Sequence, residues 1–422
     1  MDKTYAVLEM TSTSLKLVVG YVLNEEPIIL HTEKKLIPNL IKNGKIIDKK
    51  TLISEINKLT KIEDQFKKFS INIRDVILIL PPIAFERYIL EKNLALVSSS
   101  HIVQKADVFN VISLMKGYEK GIKNGNILLD IIPSKFLLDG TKAFAFPPVG
   151  NAGSSLGISA KFHTLPSSIV KDYQEVAHLA GMRPIRSIIS SYCMANYLNK
   201  KEGLPKNYFY VDIGSSVTTI TLCSGNDIYD SSYFLMGGET LTNVIRNKFG
   251  ISFEDAERLK INFGYDMREL KFDPIILKTT DEYDQEISFK LSELNSIVKD
   301  FLGDFVFSLN NCFTTLLQKR NYSNSYCKLP FVIGGGGSKL FGLFEYMKLA
   351  FKEQKIYYVP LDIIGLRDES FLNAAGAFLI VSQFKGCLQE FEKETGFNPV
   401  SRINTANSNE RKIFKLNEGE EL

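Results

Sequence analysis

Val211-Asp212-Ile213-Gly214-Ser215-Ser216-Val217-Thr218-Thr219 is the stretch on which the fold turns. The apolar runs Tyr208–Ile213 and Val217–Leu222 flank a short polar turn and predict two strands joined by it. Asp212 ends the first strand, where a carboxylate can orient Mg²⁺ through water. Gly214 lets the backbone approach a phosphate, and the hydroxyls of Ser215, Ser216 and Thr218 can donate to phosphoryl oxygens. The same layout occurs near the amino terminus, where Tyr5–Glu9 and Leu15–Val22 enclose Met10-Thr11-Ser12-Thr13-Ser14. There Glu9 ends a strand, Thr11, Ser12 and Thr13 fill the turn, and Lys16 lies on the return strand, a set suited to a metal-bound polyphosphate. Either hairpin alone also reads as an ordinary polar turn. Two of them predict a duplicated architecture with a cleft between its halves.

A third signal is the strand Phe331–Ile333 running into Gly334-Gly335-Gly336-Gly337-Ser338. Gly335, Gly336 and Gly337 leave room for a flat base or ribose to lie against the backbone. Neither the spacing of a dinucleotide fingerprint nor the ending of a P-loop is present. On a predicted helix over 253–263, Glu257 and Lys260 stand one turn apart, placed to bracket a nucleoside or simply to pair with each other.

The remaining composition narrows the class. With 422 residues, 45% hydrophobic and 23% charged, the chain reads as globular, with length for several domain units. Fifty-one basic against 48 acidic side chains leave a net charge of +3, which argues against nucleic acid as partner. Cys193, Cys223, Cys312, Cys327 and Cys387 are scattered without C-x-x-C spacing, so neither a disulfide framework nor a thiolate metal site is expected. None of His31, His101, His163 and His178 is spaced with another as a metal pair. The start lacks the long apolar stretch of a signal peptide, and no apolar run approaches the ~20 residues of a spanning helix. A cytoplasmic protein, held to a membrane only by a surface anchor, is the expectation.

Along the chain, Val76–Leu80 reads as a strand stopped by Pro81-Pro82, where a boundary is expected. Val108, Val111, Ile112 and Met115 mark a helix face, and Ile127–Ile132 and Leu156–Phe162 read as strands, giving a small α+β unit. A helix from Ser167 should end at Gly181. Further helices are expected around 239–249, 253–263 and 293–317, and a last one carrying Phe371, Ala375, Phe378 and Leu379. The hydrophobic pattern fades after about residue 395, and the tail from Val400, with four side chains of each charge, reads as mostly disordered.

The order of these motifs resembles the actin-like ATPase superfamily. Within it, Pro133-Ser134-Lys135-Phe136-Leu137-Leu138-Asp139-Gly140 and Pro148-Val149-Gly150-Asn151-Ala152-Gly153 resemble the inserted small domain of the bacterial cell-division protein family FtsA. Gly238-Glu239-Thr240-Leu241-Thr242 and Glu254–Lys260 resemble matching stretches of that family. The resemblance implies an α/β, actin-like (ribonuclease H-like) duplicated fold with an inserted α+β subdomain. The implied division is a first half over 1–82 and 166–195, the insert over 83–165, a second half over 196–235 and 329–395, its subdomain over 236–328, and a flexible tail over 396–422. It adds Gly237 and Gly238 to the nucleotide site and implies ATP and Mg²⁺ as cofactors. It further implies FtsZ, other division proteins and head-to-tail copies of the chain as partners, with peripheral attachment to the inner face of the membrane at the division site.

Departures from the family pattern bear on catalysis. Thr11 stands where the first hairpin has glycine; Ser215 and Ser216 replace two glycines of the second, and Thr219 its last acid. The connecting helix, often starting Glu-Pro-Leu-Ala, reads Ser190-Ser191-Tyr192-Cys193. Each added Cβ narrows the approach of backbone N–H groups, and each lost carboxylate removes a way to place Mg²⁺ or attacking water. Nucleotide binding is therefore expected to survive better than hydrolysis, leaving at most a weak ATPase. In the tail, Arg411-Lys412-Ile413-Phe414-Lys415-Leu416 is too short for the amphipathic membrane helix of the family. A small-molecule kinase on the same core, an Hsp70-like chaperone and a pilus-assembly relative of FtsA stay open as alternatives.

Overall fold

The computed structural model describes residues 4–382, except 25, 65–68, 97–100, 117–121, 123–124, 269–271, 281–285, 320–323, 360–362, 364 and 367–368, and except the side chains of 63, 64, 69–71, 113 and 116. In chain order the elements begin β1 (Tyr5–Met10), β2 (Ser14–Leu23), β3 (Glu26–Leu36), β4 (Ile41–Lys42), β5 (Lys45–Ile46), α1 (Lys49–Asn57), β6 (Lys61–Asp64), β7 (Phe69–Asn72) and β8 (Asp75–Leu80). The insert follows as β9 (Glu86–Ala95), α2 (Lys105–Lys116), β10 (Asn126–Leu138), β11 (Lys142–Phe144) and β12 (Ser155–Pro166). Then come α3 (Ser167–Leu179), β13 (Arg183–Ile189), α4 (Ser190–Leu198), β14 (Asn207–Ile213), β15 (Thr218–Ser224) and β16 (Asp227–Phe234). The rest is α5 (Gly238–Phe249), α6 (Phe253–Phe263), β17 (Ile275–Thr280), β18 (Glu286–Lys290), α7 (Leu291–Lys319), β19 (Phe331–Gly334), α8 (Leu343–Ala350), β20 (Ile356–Tyr358) and α9 (Leu372–Ser382).

The duplication expected from the two hairpins is visible in the sheets. The first sheet has strand order β3-β2-β1-β8-β13, the second β16-β15-β14-β19-β20. In each, a three-strand antiparallel meander is extended by two parallel strands. Parallel neighbours need long crossovers. The insert fills the crossover from β8 to β13, and α5 to α7 fill the one from β16 to β19. The insert carries its own sheet, ordered β11-β10-β12-β9, and α2 packs on it. It has an apolar core of its own, built by Val108, Val111, Ile112 and Met115 against Phe136, Leu156 and Phe162.

The strand ends differ from the sequence expectation in ways that packing explains. Strand β10 runs on to Leu138, carrying Pro133 at a register irregularity where its missing N–H is tolerated. Strand β3 went unforeseen because its half-exposed residues mix charges with apolar side chains and it lies at a sheet edge. Helix α3 stops where expected, with Gly181 at φ +90°. Helices α4 and α9 cross between the sheets. All of α4 is buried; α9 packs on it and on β1, β2, β3 and β8. The tail from Val400 and its Arg411–Leu416 segment lie outside the described residues. Among the described residues no helix is long and apolar enough to cross a membrane.

Candidate functional site

The turns of the two hairpins face each other. Ser12 Oγ and Ser216 Oγ share a hydrogen bond of 2.8 Å, and the Asn43 N–H donates to Ser216 Oγ at 3.3 Å. Behind the first turn, register pairs Glu9 with Lys16, and Lys16 Nζ donates to Glu9 Oε2 at 2.9 Å in an ion pair whose side chains are about one-tenth exposed. Asn373, in the first turn of α9, donates from Nδ2 to the other Glu9 oxygen at 2.7 Å. Thr11 closes the turn on Ser14: its N–H and Oγ1 both donate to the Ser14 carbonyl.

Behind the second turn stands Asp212. Strand alternation puts Phe209, Val211 and Ile213 into the second half's core and turns Tyr208 and Tyr210 toward the first half, so Asp212 shares their face. Burial, and next the negative charge of Glu9, push its carboxyl pKa up to about 6; Lys16 opposes the rise. Thr219 lies directly across from Asp212. Thr219 Oγ1 and Asn373 Oδ1 are buried and have no hydrogen-bond partner among the described residues. The cleft floor thus joins two carboxylates, one lysine and unsatisfied polar atoms.

The glycine motif adjoins this floor. Gly335 sits at φ +82°, and a Cβ there would fall 2.3 Å from Asp212 Oδ1; at Gly336 a Cβ would meet nothing within 4 Å. Gly337 lies against Ile213, and Ser338 Oγ donates to the Gly335 carbonyl at 2.7 Å. On the other side, the Gly238 N–H donates to Gly214 O and the Glu239 N–H to Ser215 O, so the start of α5 props the second turn. At Gly237 a Cβ would fall 2.5 Å from each of the same two carbonyl oxygens, and Thr218 Oγ1 donates to Met236 O rather than into the cleft. Ser215 Oγ likewise turns to Glu239 Oε2, at 3.1 Å.

Glu257 and Lys260 pair with each other at 2.6 Å and tie α6 to α5: Lys260 Nζ donates to Gly238 O and Thr242 Oγ1, and Thr242 donates to Glu257. They reach the site's wall through Gly238. Of the residues proposed from sequence, the structure therefore gathers Glu9, Ser12, Lys16, Asp212, Ser216 and Gly335 in the cleft, with Gly336 and Gly337 following in the same motif. Thr218 and Ser215 serve the hairpin's support, and among the described residues Thr13 offers its carbonyl to the Ile37 N–H instead. Sequence reading missed Asn373 and Asn43. Asn373 had a signal, being a lone amide in the apolar run Phe371–Leu379; Asn43 had none.

The matching hairpins, the paired sheets and the glycine motif set the terms for comparison with known proteins. The family model described as cell division protein FtsA matches residues 209–376. The resemblance is to FtsA. FtsA of Buchnera aphidicola subsp. Baizongia pistaciae is 26% identical over 276 residues, 65% of this chain and 63% of that protein. FtsA of Staphylococcus epidermidis (strain ATCC 35984) is 22% identical over 377 residues, 88% and 77% of the two chains. Among solved structures, a chain of the PilM-PilN type IV pilus biogenesis complex superposes with a TM-score of 0.55 at 16% identity, covering 94% of this chain and 99% of its own. MreB5 of Spiroplasma citri bound to ADP gives 0.52 at 12% identity, covering 92% and 98%. The FtsA-like chain has an actin-like fold, as its motif order implied.

Proposed function

We propose that this chain is an actin-like protein of bacterial cell division that binds a nucleotide between its two hairpins. In this reading it self-associates head to tail, links FtsZ filaments to the inner face of the membrane and recruits further division proteins. The division role is supported by the FtsA relatives. The nucleotide role is carried by one observation, the convergence of Glu9, Lys16 and Asp212 on one cleft between duplicated sheets. The site's chemistry fits a metal-bound polyphosphate. Asp212, raised to about 6 beside Glu9, has no ion-pair partner among the described residues, and Thr219 and Asn373 hold buried polar atoms without partners there. When bound, Mg²⁺ and ATP would supply positive charge at Asp212 and a phosphate chain spanning both halves.

The chain's own residues would divide the task. Asp212 would orient the metal through water, Lys16 and the turn N–H groups would neutralise phosphate charge, and Gly335–Gly337 would receive the nucleoside. Ser12 and Ser216 already hydrogen-bond each other, so a terminal phosphate has to displace that contact. With Thr219 in place of an acid, no second carboxylate stands on β15 to order attacking water, and turnover is slow. Nucleotide then acts by mass action on the closed state. Titration with fluorescent ADP and ATP in Mg²⁺ is expected to show saturable binding that Asp212→Ala weakens at least about tenfold, some 1.4 kcal/mol. No binding by the folded wild type would overturn the nucleotide role, and brisk hydrolysis lost in Asp212→Ala would overturn slow turnover. Absence of co-sedimentation with FtsZ filaments in every nucleotide state would overturn the FtsZ link.

A further inference from the structure

We infer that the insert is a strut pinned to both halves by a buried row of charged side chains, so that opening of the cleft must move it. It has an apolar core of its own, and Leu129, Ile132 and Leu165 of its strands also pack into the first half's core, so its tie to the first half is apolar as well as ionic. Register across its sheet sets Asp130 of β10, His163 of β12 and Arg87 of β9 side by side as cross-strand neighbours. At one end Arg186 of β13, in the first sheet, donates to Asp130 Oδ2 at 2.5 Å. At the other end Asp227, which opens β16 in the second sheet, accepts from Arg87 Nη2 at 3.0 Å and from Lys161 Nζ at 2.7 Å. The Arg87 guanidinium also lies 4.4 Å over the Tyr229 ring. Arg87, Asp130, His163 and Asp227 are 8%, 4%, 1% and 5% exposed, so detaching the insert from either half strands a buried charge.

Within the row His163 is a neutral bridge, and burial pushes the Asp130 carboxyl up while Arg186 opposes the rise. Phe85 and Tyr192 meet the His163 ring edge-on, and burial together with Arg87, Lys161 and Arg186 holds its pKa down to about 3. The lever arm is β15. It begins beside the turn that carries Ser216 and ends at Ser224, paired with Asp227, a span of roughly 20 Å for seven residues. A tilt of the second half that parts Ser12 from Ser216 therefore displaces Asp227 and pulls on Arg87 and Lys161.

The test is hydrogen exchange by mass spectrometry on the full chain, with the cleft forced open by Ser12→Asp plus Ser216→Asp. In the parent background these substitutions are expected to change exchange in 86–95 of the insert about fivefold or more. In an Asp227→Asn background the same change should fall below about twofold, the mark of coupling that a merely structural Asp227 would not give. Equal responses in the two backgrounds, or no response of the insert in the parent, would overturn the strut. If melting shows that Asp227→Asn does not fold, Asp227→Leu combined with Arg87→Met and Lys161→Met removes all three charges and is held to the same criterion.

Discussion

Asp212 holds a charge that the folded chain disfavours. Its pKa is raised from 3.8 to about 6, first by burial and then by Glu9. Between those values the folded state keeps a proton that the unfolded chain has lost, so this group's contribution to stability falls as pH rises from about 4 to about 6 and is level above. A tenfold difference in proton affinity between the two states is worth about 1.4 kcal/mol. Asp212→Asn is therefore expected to raise the melting temperature at pH 8, to flatten that part of the pH profile and to lose nucleotide affinity. A melting temperature at pH 8 equal to or below wild type would contradict the assignment of strain to this carboxylate. Asp212 was legible in the sequence because a carboxylate closing a β-rich run before Gly214 is a local pattern. Asn373 was not, since its importance depends on Glu9, brought beside it from the far end of the chain.

Between elements, the crossing of α4 and α9 governs how the halves meet. Gly376 makes it possible: a Cβ there would stand 1.9 Å from the Cys193 carbonyl oxygen, and backbone cannot yield as a side-chain tip can. Gly376→Ala is expected to push the helices apart and cost about 1–3 kcal/mol in urea unfolding, the usual range for overpacking a buried contact. An unchanged midpoint would mean that α9 slides without cost. Helix α9 was readable from apolar spacing and α4 only from the family resemblance, and α6 falls on 253–263 as expected because Ser252 caps it and Gly264 follows it. Their crossing was not readable. The tight approach at Gly376 is a property of two segments about 180 residues apart in sequence, and periodicity within each says only which faces seek burial.

For the whole molecule, charge sets a limit on membrane attachment. A net charge of +3 over 422 residues, with four side chains of each sign from Val400 onward, supplies little attraction to anionic lipid. Flotation with anionic vesicles at physiological salt should recover little monomer, equally with and without residues 400–422. Strong flotation lost on removing that segment would assign it an anchor. Local residue patterns carried the duplicated strand-turn-strand layout, the glycine motif and the small α+β unit, because each is written in residues close together along the chain, and the resemblance of their order to a known superfamily carried the actin-like fold. Tertiary structure alone decided that Ser12 touches Ser216, that Asn373 completes the Glu9–Lys16 pair and that a charged row ties the insert to both halves. Those contacts join side chains tens to hundreds of residues apart, and only the packing of the two sheets and the burial it imposes fix their geometry and their charge.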